Sequence, residues 1–390
     1  MRQHGANTVD GRPAWLIISP AFPPLRGGVA DHTRRLAQEL SQGALVGVLT
    51  SVGADQVEDY PVHPEISNWR DIEQLLSAAE TLAPTANIIW QYVPHLYGRG
   101  GVNLRLPRVM HFFGQHHCDQ LVIAHEIAAP YSAWPHRCWY AWAQRRQWRQ
   151  LLEYTNTVGI STEAWLKEWM LREPRFRDKM LLLPSPSSLP LVPLGQDHAQ
   201  SWRARQGLPA TARVLTFFGT LSAAKQFPWL VDAWRAAQVA DSPVALVVIG
   251  AQPHPALPPE LKPLFKPLGY LAPEQVSAAL HATDVLALPF VDGVSERRTS
   301  FMSGLQHGCA VVTTSGHNTG PTLRKARYSV LVPANDRAAF RRAVADLLRD
   351  QPRRLHLRAA AREAYRCEYD WPRLTARINL SLGLQAGSSA

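Results

Sequence analysis

Short apolar runs recur along this chain, each closed by a Gly- or Pro-rich turn and followed by a segment with helical spacing. In the first half, residues 15–19, 44–50, 88–90 and 121–124 predict strands. Residues 29–40 and 72–81 predict helices between them. Strands apolar on both faces belong to a parallel sheet covered by helices on either side. The pattern then breaks at residues 183–193, where Pro184, Pro186, Pro190 and Pro193 forbid a helix or a central strand. Beyond this linker the alternation resumes, with strands expected at 214–218, 245–249, 285–288, 310–313 and 329–332.

The expected architecture is therefore α/β, with two doubly wound, Rossmann-like parallel-sheet domains facing across a cleft. A length of 390 residues suits two domains of ordinary size. The division falls near 1–190 and 191–369, with a C-terminal helix at about 370–386 packing back on the first domain. Ligands of such sheets bind outside the carboxyl ends of the strands, so candidate residues are sought just after strands.

Four places qualify. The first strand runs into a loop with Gly27 and Gly28 before a helix, where backbone amides approach a ligand closely. Its spacing does not fit the G-x-G-x-x-G pattern of dinucleotide sites. His125 follows the 121–124 strand and can hydrogen-bond a sugar hydroxyl or move a proton. The 214–218 strand ends at Gly219 and leads through Thr220 and Leu221 to Lys225, a cation beside opened backbone and a helix start. Finally, residues 289–300 form a second anion-binding turn. There Glu296 can accept hydroxyl hydrogen bonds, Arg297 or Arg298 can grip phosphate, and Thr299 or Ser300 can cap the next helix. Two such turns on one sheet point to a diphosphate, hence to a nucleotide-linked donor.

Composition narrows the partners. A net charge of +10 fits nucleic acid, an anionic membrane surface or acidic small molecules. Arginines spread widely, without a common nucleic-acid motif, argue against the first. No apolar run is long enough to span a bilayer, and the first dozen residues lack a signal core, so a cytoplasmic protein is expected. Peripheral contact with the inner membrane face stays open. Residues 139–149 alternate tryptophan and arginine at helical spacing, and the simpler expectation is that these tryptophans pack into their own domain. Cys118, Cys138, Cys309 and Cys367 are scattered and expected as reduced thiols. His111, His116 and His117 lie close in sequence, but without carboxylates or cysteines they do not favour a metal site.

The order of these parts resembles the retaining glycosyltransferases of family 4, with the GT-B fold. The likeness runs through Gly27-Gly28, His125, Gly219-Thr-Leu-Ser-Ala-Ala-Lys225 and Leu246-Val-Val-Ile-Gly250. It continues through Leu268-Gly-Tyr-Leu-Ala-Pro-Glu-Gln-Val276, Ala282-Thr-Asp284-Val-Leu-Ala-Leu-Pro289, Gly308-Cys-Ala-Val-Val-Thr-Thr and Leu331-Val-Pro with Asp336. The resemblance implies a nucleotide-diphosphosugar held by the C-terminal domain, a hydroxyl acceptor held mainly by the N-terminal domain, and no required metal or other cofactor. Lys225 would hold the diphosphate with amides near Thr299 and Ser300, and His125 would lie near the donor sugar. Two features depart from the family. Thr220 stands where an arginine is common, and Ser295 and Ser303 occupy the acidic pair's positions. Glu296 is displaced by one residue, and Ser303 can offer only a hydroxyl to a ribose.

The implied activity is sugar transfer from the donor to a glycan, lipid or small-molecule hydroxyl. The two serines favour an alternative, a non-catalytic relative that binds a nucleotide sugar or a partner. A nucleotide-sugar epimerase on a similar fold ranks below both.

Overall fold

The computed structural model describes residues 8–9, 12–82, 86–115, 118–195, 197–238, 242–253 and 255–383. His116, His117 and residues 384–386 of the expected last helix lie outside them. The chain divides into two compact units. The first comprises Met1–Ser161, Trp165–Pro184 and Trp371–Ala390, the second Thr162–Ala164 and Ser185–Asp370.

In the first unit the strands are β1 (Thr8–Val9), β2 (Arg12–Ile18), β3 (Leu45–Ser51), β4 (Val62–Ile66), β5 (Asn87–Tyr92), β6 (Gln120–Ala124), β7 (Thr157–Ile160) and β8 (Met180–Leu182). They pair in the order β4-β3-β2-β5-β6-β7-β8, all parallel, with β1 antiparallel to β2. Alternate residues feed opposite cores, as the period-two geometry of a strand requires. Leu16, Ile18, Ile88 and Trp90 join one core, while Trp15, Ile17 and Ile89 join the other. That second core also takes Trp371, Leu374 and Ile378 from the Trp371–Ser381 helix, so the chain's last helix is structural in the first unit.

The second unit repeats the plan. Its strands are β9 (Arg213–Phe218), β10 (Val244–Ile249), β11 (Phe265–Gly269), β12 (Val285–Leu288), β13 (Val311–Ser315) and β14 (Val330–Pro333). Their order is β11-β10-β9-β12-β13-β14, again parallel throughout. The strand order reverses between β9 and β12, and at that switch point the loops leave in opposite directions and open a crevice.

Besides the two-residue β1, four strands, β4, β7, β8 and β11, were not expected from sequence. Two reasons apply. β4 and β11 are edge strands and carry Pro64 and Pro267, which an edge tolerates and a central strand does not. β7 and β8 are only four and three residues long, too short to show a period. The Pro135–Tyr154 helix also corrects an expectation. It buries Trp148 completely but leaves Trp139 and Trp142 54% and 52% exposed.

Candidate functional site

The two candidate anion-binding turns follow β9 and β12, the strands that flank the switch point of the second unit. They are tied together. Lys225 and Phe290 form an isolated antiparallel bridge, Gln226 N donates to Pro289 O at 2.8 Å, and Val291 N donates to Ala224 O at 2.9 Å. The helix after Lys225 begins at Phe227, so the lysine stands in the turn rather than on the helix.

Gly219 determines where the ammonium goes. The glycine has φ 126°, and a Cβ built there would lie 2.2 Å from Lys225 Nζ. Lys225 thus folds back over bare backbone at the end of β9, with its Nζ 5.2 Å from the centroid of the Phe217 ring. Burial, and then the charge of Arg298, lower its pKa to about 8. A desolvated cation beside another cation is a site that gains from an anion. Thr220, next to Gly219, is exposed.

Arg298 is brought to the same place. Its Nη2 donates to both carboxylate oxygens of Asp292 at 2.5 Å, and its guanidinium lies 4.6 Å from the centroid of the Phe290 ring. Asn318 Nδ2 donates to the same carboxylate at 2.7 Å, while Arg298 Nε is buried without a hydrogen-bond partner. Asp292 is a residue that sequence reasoning missed; its only signal was an Asp-Gly pair inside the turn. Arg297 is half-buried.

The Thr299–Gln306 helix is capped differently from expectation. Arg298, with φ −80° and ψ 93°, occupies the cap position, and no side chain closes the helix start. Thr299 already has helical geometry and is exposed; Ser300 is buried. The first-turn amides therefore keep the positive end of the helix without a side-chain acceptor.

Glu296 and the two serines form a separate, buried group. Glu296 is 1% exposed, and its Oε2 accepts from Glu163 N at 3.3 Å. Burial, as the largest cause, raises its pKa to about 7. Arg298 pairs with Asp292 rather than with Glu296. Ser303 Oγ, which sequence offered to a ribose, is buried and 2.9 Å from Ser187 Oγ. Ser295 Oγ is buried with no hydrogen-bond partner. A carboxylate in these two interior positions would face the same burial, and a hydroxyl is cheaper to desolvate.

In the first unit, Gly27 and Gly28 begin the Gly28–Leu40 helix, and a Cβ at either would meet nothing within 4 Å. His125 follows β6, and its Nε2 lies 2.5 Å from Gln91 Oε1. Gln91 Nε2 in turn lies 3.3 Å from His32 Nδ1. Gln91 is wholly buried on β5 and His32 is 3% exposed, with the Trp371 ring 5.1 Å from it. Burial, and secondarily the nearby His125, hold the His32 pKa well below its usual value, so it stays neutral. One amide serving two imidazoles fixes both tautomers: His125 donates through Nε2, and His32 accepts at Nδ1. Sequence reasoning found His125 and missed its partners, although a lone glutamine in the apolar β5 was a signal. His111 lies on the Leu106–Gln115 helix against Tyr154. Among the described residues no three His, Cys, Asp or Glu groups gather as a metal site.

Residues 212–350, which hold both candidate turns, match the family model of glycosyl transferases group 1. This segment is a glycosyltransferase domain. The chain is accordingly a transferase enzyme. No curated protein matches it in sequence. Solved structures match over nearly its whole length. Sucrose-phosphate synthase from Thermosynechococcus elongatus is 17% identical with a TM-score of 0.70, covering 95% of this chain and 98% of its own. Anabaena Alr3699/HepE in complex with UDP and glucose is 15% identical with a TM-score of 0.69, covering 95% and 99%. WaaG, a glycosyltransferase involved in lipopolysaccharide biosynthesis, is 13% identical with a TM-score of 0.65, covering 95% and 100%. At such identities the likeness establishes the fold, which is GT-B. Among the described residues no helix is long and apolar enough to cross a membrane.

Proposed function

We propose that this glycosyltransferase moves a sugar from a nucleotide-diphosphosugar to an acceptor hydroxyl, retaining the anomeric configuration and using no resident metal. The observation that carries this reading is the Lys225 turn, a desolvated ammonium folded over Gly219 beside Arg298. When the anomeric C–O bond breaks, the electron pair stays with the diphosphate. Lys225, the Arg298 charge and the uncapped amides at Thr299 and Ser300 meet that developing charge, which lowers the barrier more than it favours the bound donor. Supporting the donor class, structures of the Anabaena neighbour were solved with UDP and with UDP-glucose. In the first unit, His125 Nδ1 is proposed to accept a hydrogen bond from a sugar hydroxyl. Glu296, buried and largely protonated below neutrality, is assigned a supporting role rather than contact with the leaving group.

Purified protein is incubated with a panel of nucleotide sugars and candidate acceptors, with and without a chelator. Release of nucleoside diphosphate unaffected by the chelator, with an anomeric proton coupling in the product that matches the donor, is the expected result. Conversion of a donor to its epimer without an acceptor refutes the transfer reading. Ser295 and Ser303, standing where the family carries acids, favour a second reading as a non-catalytic binder. Nucleotide-diphosphate binding with no turnover of any donor would select it.

A further inference from the structure

The surface around the start of the Pro135–Tyr154 helix presents aromatic groups that the fold does not use. Of the chain's 13 tryptophans, three are exposed, and all three fall here: Trp134 at 63%, Trp139 at 54% and Trp142 at 52%. Tyr131, in the preceding loop, is 57% exposed. Trp139 and Trp142 are three residues apart and share a face, which Arg146 continues four residues further on. The opposite face of the helix already packs inward through Ala141, Gln144, Trp148 and Leu151. These indoles are therefore not needed to hold the helix in place.

Charge accompanies them. The helix carries Arg137, Arg145, Arg146 and Arg149 against one carboxylate, Glu153. Glu153 is held by Arg175 at 2.7 Å, and Arg149 pairs with Glu173 at 2.5 Å. Arg145 lies 4.2 Å from the Tyr131 ring centroid and donates to Ala129 O and Ala141 O. Arg137 and Arg146 have no ion-pair partner among the described residues; Arg146 continues the face of the two indoles, and Arg137 is exposed in the first turn of the helix. An indole gains most where its apolar ring leaves water while its N–H stays hydrated, which is the depth of lipid headgroups. Unpaired guanidinium groups at the same level attract anionic headgroups. A soluble protein partner would bury these indoles completely and would have to supply acids for the arginines.

We propose that this face, Trp139 and Trp142 continued by Arg146, together with Tyr131, Trp134 and Arg137 at the exposed start of the helix, docks on an anionic lipid surface. Docking lies in the membrane–water interface, parallel to the bilayer, and needs no spanning segment. It goes beyond the transfer reaction and does not depend on it.

The test is co-sedimentation of the full chain, without donor or acceptor, with phosphatidylcholine vesicles and with vesicles that also contain phosphatidylglycerol. Expected are binding to the anionic vesicles, a blue shift in tryptophan emission, and weakening as salt is raised. Trp139→Ser with Trp142→Ser should lower the vesicle-bound fraction about tenfold with an unchanged melting temperature. Arg137→Gln with Arg146→Gln should remove the preference for anionic vesicles, and it tests the proposal independently should the first variant fold poorly. Absence of binding, or binding that neither pair of substitutions changes, overturns the proposal. So does concentration-dependent dimerisation that the tryptophan variant abolishes, because the face then pairs two copies of the chain.

Discussion

The two units build their candidate sites in opposite electrostatic styles. In the second unit, Lys225 stands beside the Arg298–Asp292 ion pair at the switch point, and burial holds the lysine's pKa down to about 8. In the first, His125 is tied through the neutral, fully buried Gln91 to the neutral His32. One candidate site holds a cation desolvated by burial; the other links its two imidazoles through an uncharged amide. The contrast matches the two demands of glycosyl transfer. A departing diphosphate needs charge, whereas a sugar hydroxyl needs a hydrogen-bond acceptor in a defined orientation.

The largest effect should come from removing the charge. Lys225→Ala is expected to lower kcat by about 100- to 1,000-fold, the range found for losing one preorganised group facing a developing anion. Calorimetry sharpens the point. Because the free lysine titrates near pH 8, a bound diphosphate that raises its pKa should draw in a proton above that pH. Uptake is read from binding enthalpies in buffers of different ionisation heat. Turnover within threefold of wild type, or no uptake, would place the diphosphate elsewhere.

How far each site was legible in the sequence follows from the same contrast. The Lys225 turn is nearly contiguous: strand, glycine, turn and lysine lie within a dozen residues, so their order alone suggested an anion. Both sheets were legible at their centres, where apolar runs are buried on both faces, and illegible at edges such as β4 and β11. The His125 relay draws on residues 32, 91 and 125, from a helix, a strand and the turn after another strand, and only the fold brings them together. The Thr299–Gln306 cap was misplaced because Thr and Ser there look like cap residues. The preceding turn instead hands that position to Arg298, anchored on Asp292.

Glu296 supplies the next largest effect, and it concerns stability. Its folded pKa of about 7 lies above the ordinary glutamate value of 4.5. Between these values the folded state holds more protons than the unfolded chain, so stability falls as pH rises through the interval and levels off above it. The full difference is of order 3 kcal/mol. Glu296→Gln keeps an oxygen for Glu163 N and cannot ionise. It should flatten the dependence, with the largest gain in melting temperature above neutral pH. An unchanged slope between pH of about 4.5 and 7 would show that this carboxyl is not the group desolvated.

Gly219→Ala tests the geometry of the charged site without removing its charge. The new methyl would fall 2.2 Å from Lys225 Nζ, and the ammonium is the flexible partner, so it must swing away. The backbone at φ 126° adds strain of about 1–3 kcal/mol. The expected outcome is a fall in kcat/KM for the donor of about 30-fold with a lowered melting temperature, since misplacing a group by about 1 Å can cost up to 100-fold. Full activity in this variant would mean that the lysine's position over the glycine is incidental.

The smallest effect should come from Gln91, and it separates orientation from charge. Gln91→Leu leaves every ionisable group in place but removes the side-chain amide that bonds both imidazoles. His125 is then free to carry its proton on either nitrogen, and a mixture of tautomers halves at most the fraction with an acceptor at Nδ1. Loss of ring orientation adds to this, so kcat should fall about tenfold, in the lower range for a misplaced general acid–base group. Nitrogen-15 spectroscopy of the histidine ring reads the tautomer directly, without substrate. Wild type should show the proton on Nε2 of His125 and the lone pair on Nδ1, and the leucine variant should show both forms in exchange. Gln91→Glu makes the opposite change. A carboxylate accepts from His125 but cannot donate to His32, and it favours the charged imidazolium, so the acidic limb of the rate profile should move to higher pH. If the ring nitrogen signals of wild type and the leucine variant coincide, the buried amide is packing alone and His125 acts, if it acts, without a fixed tautomer.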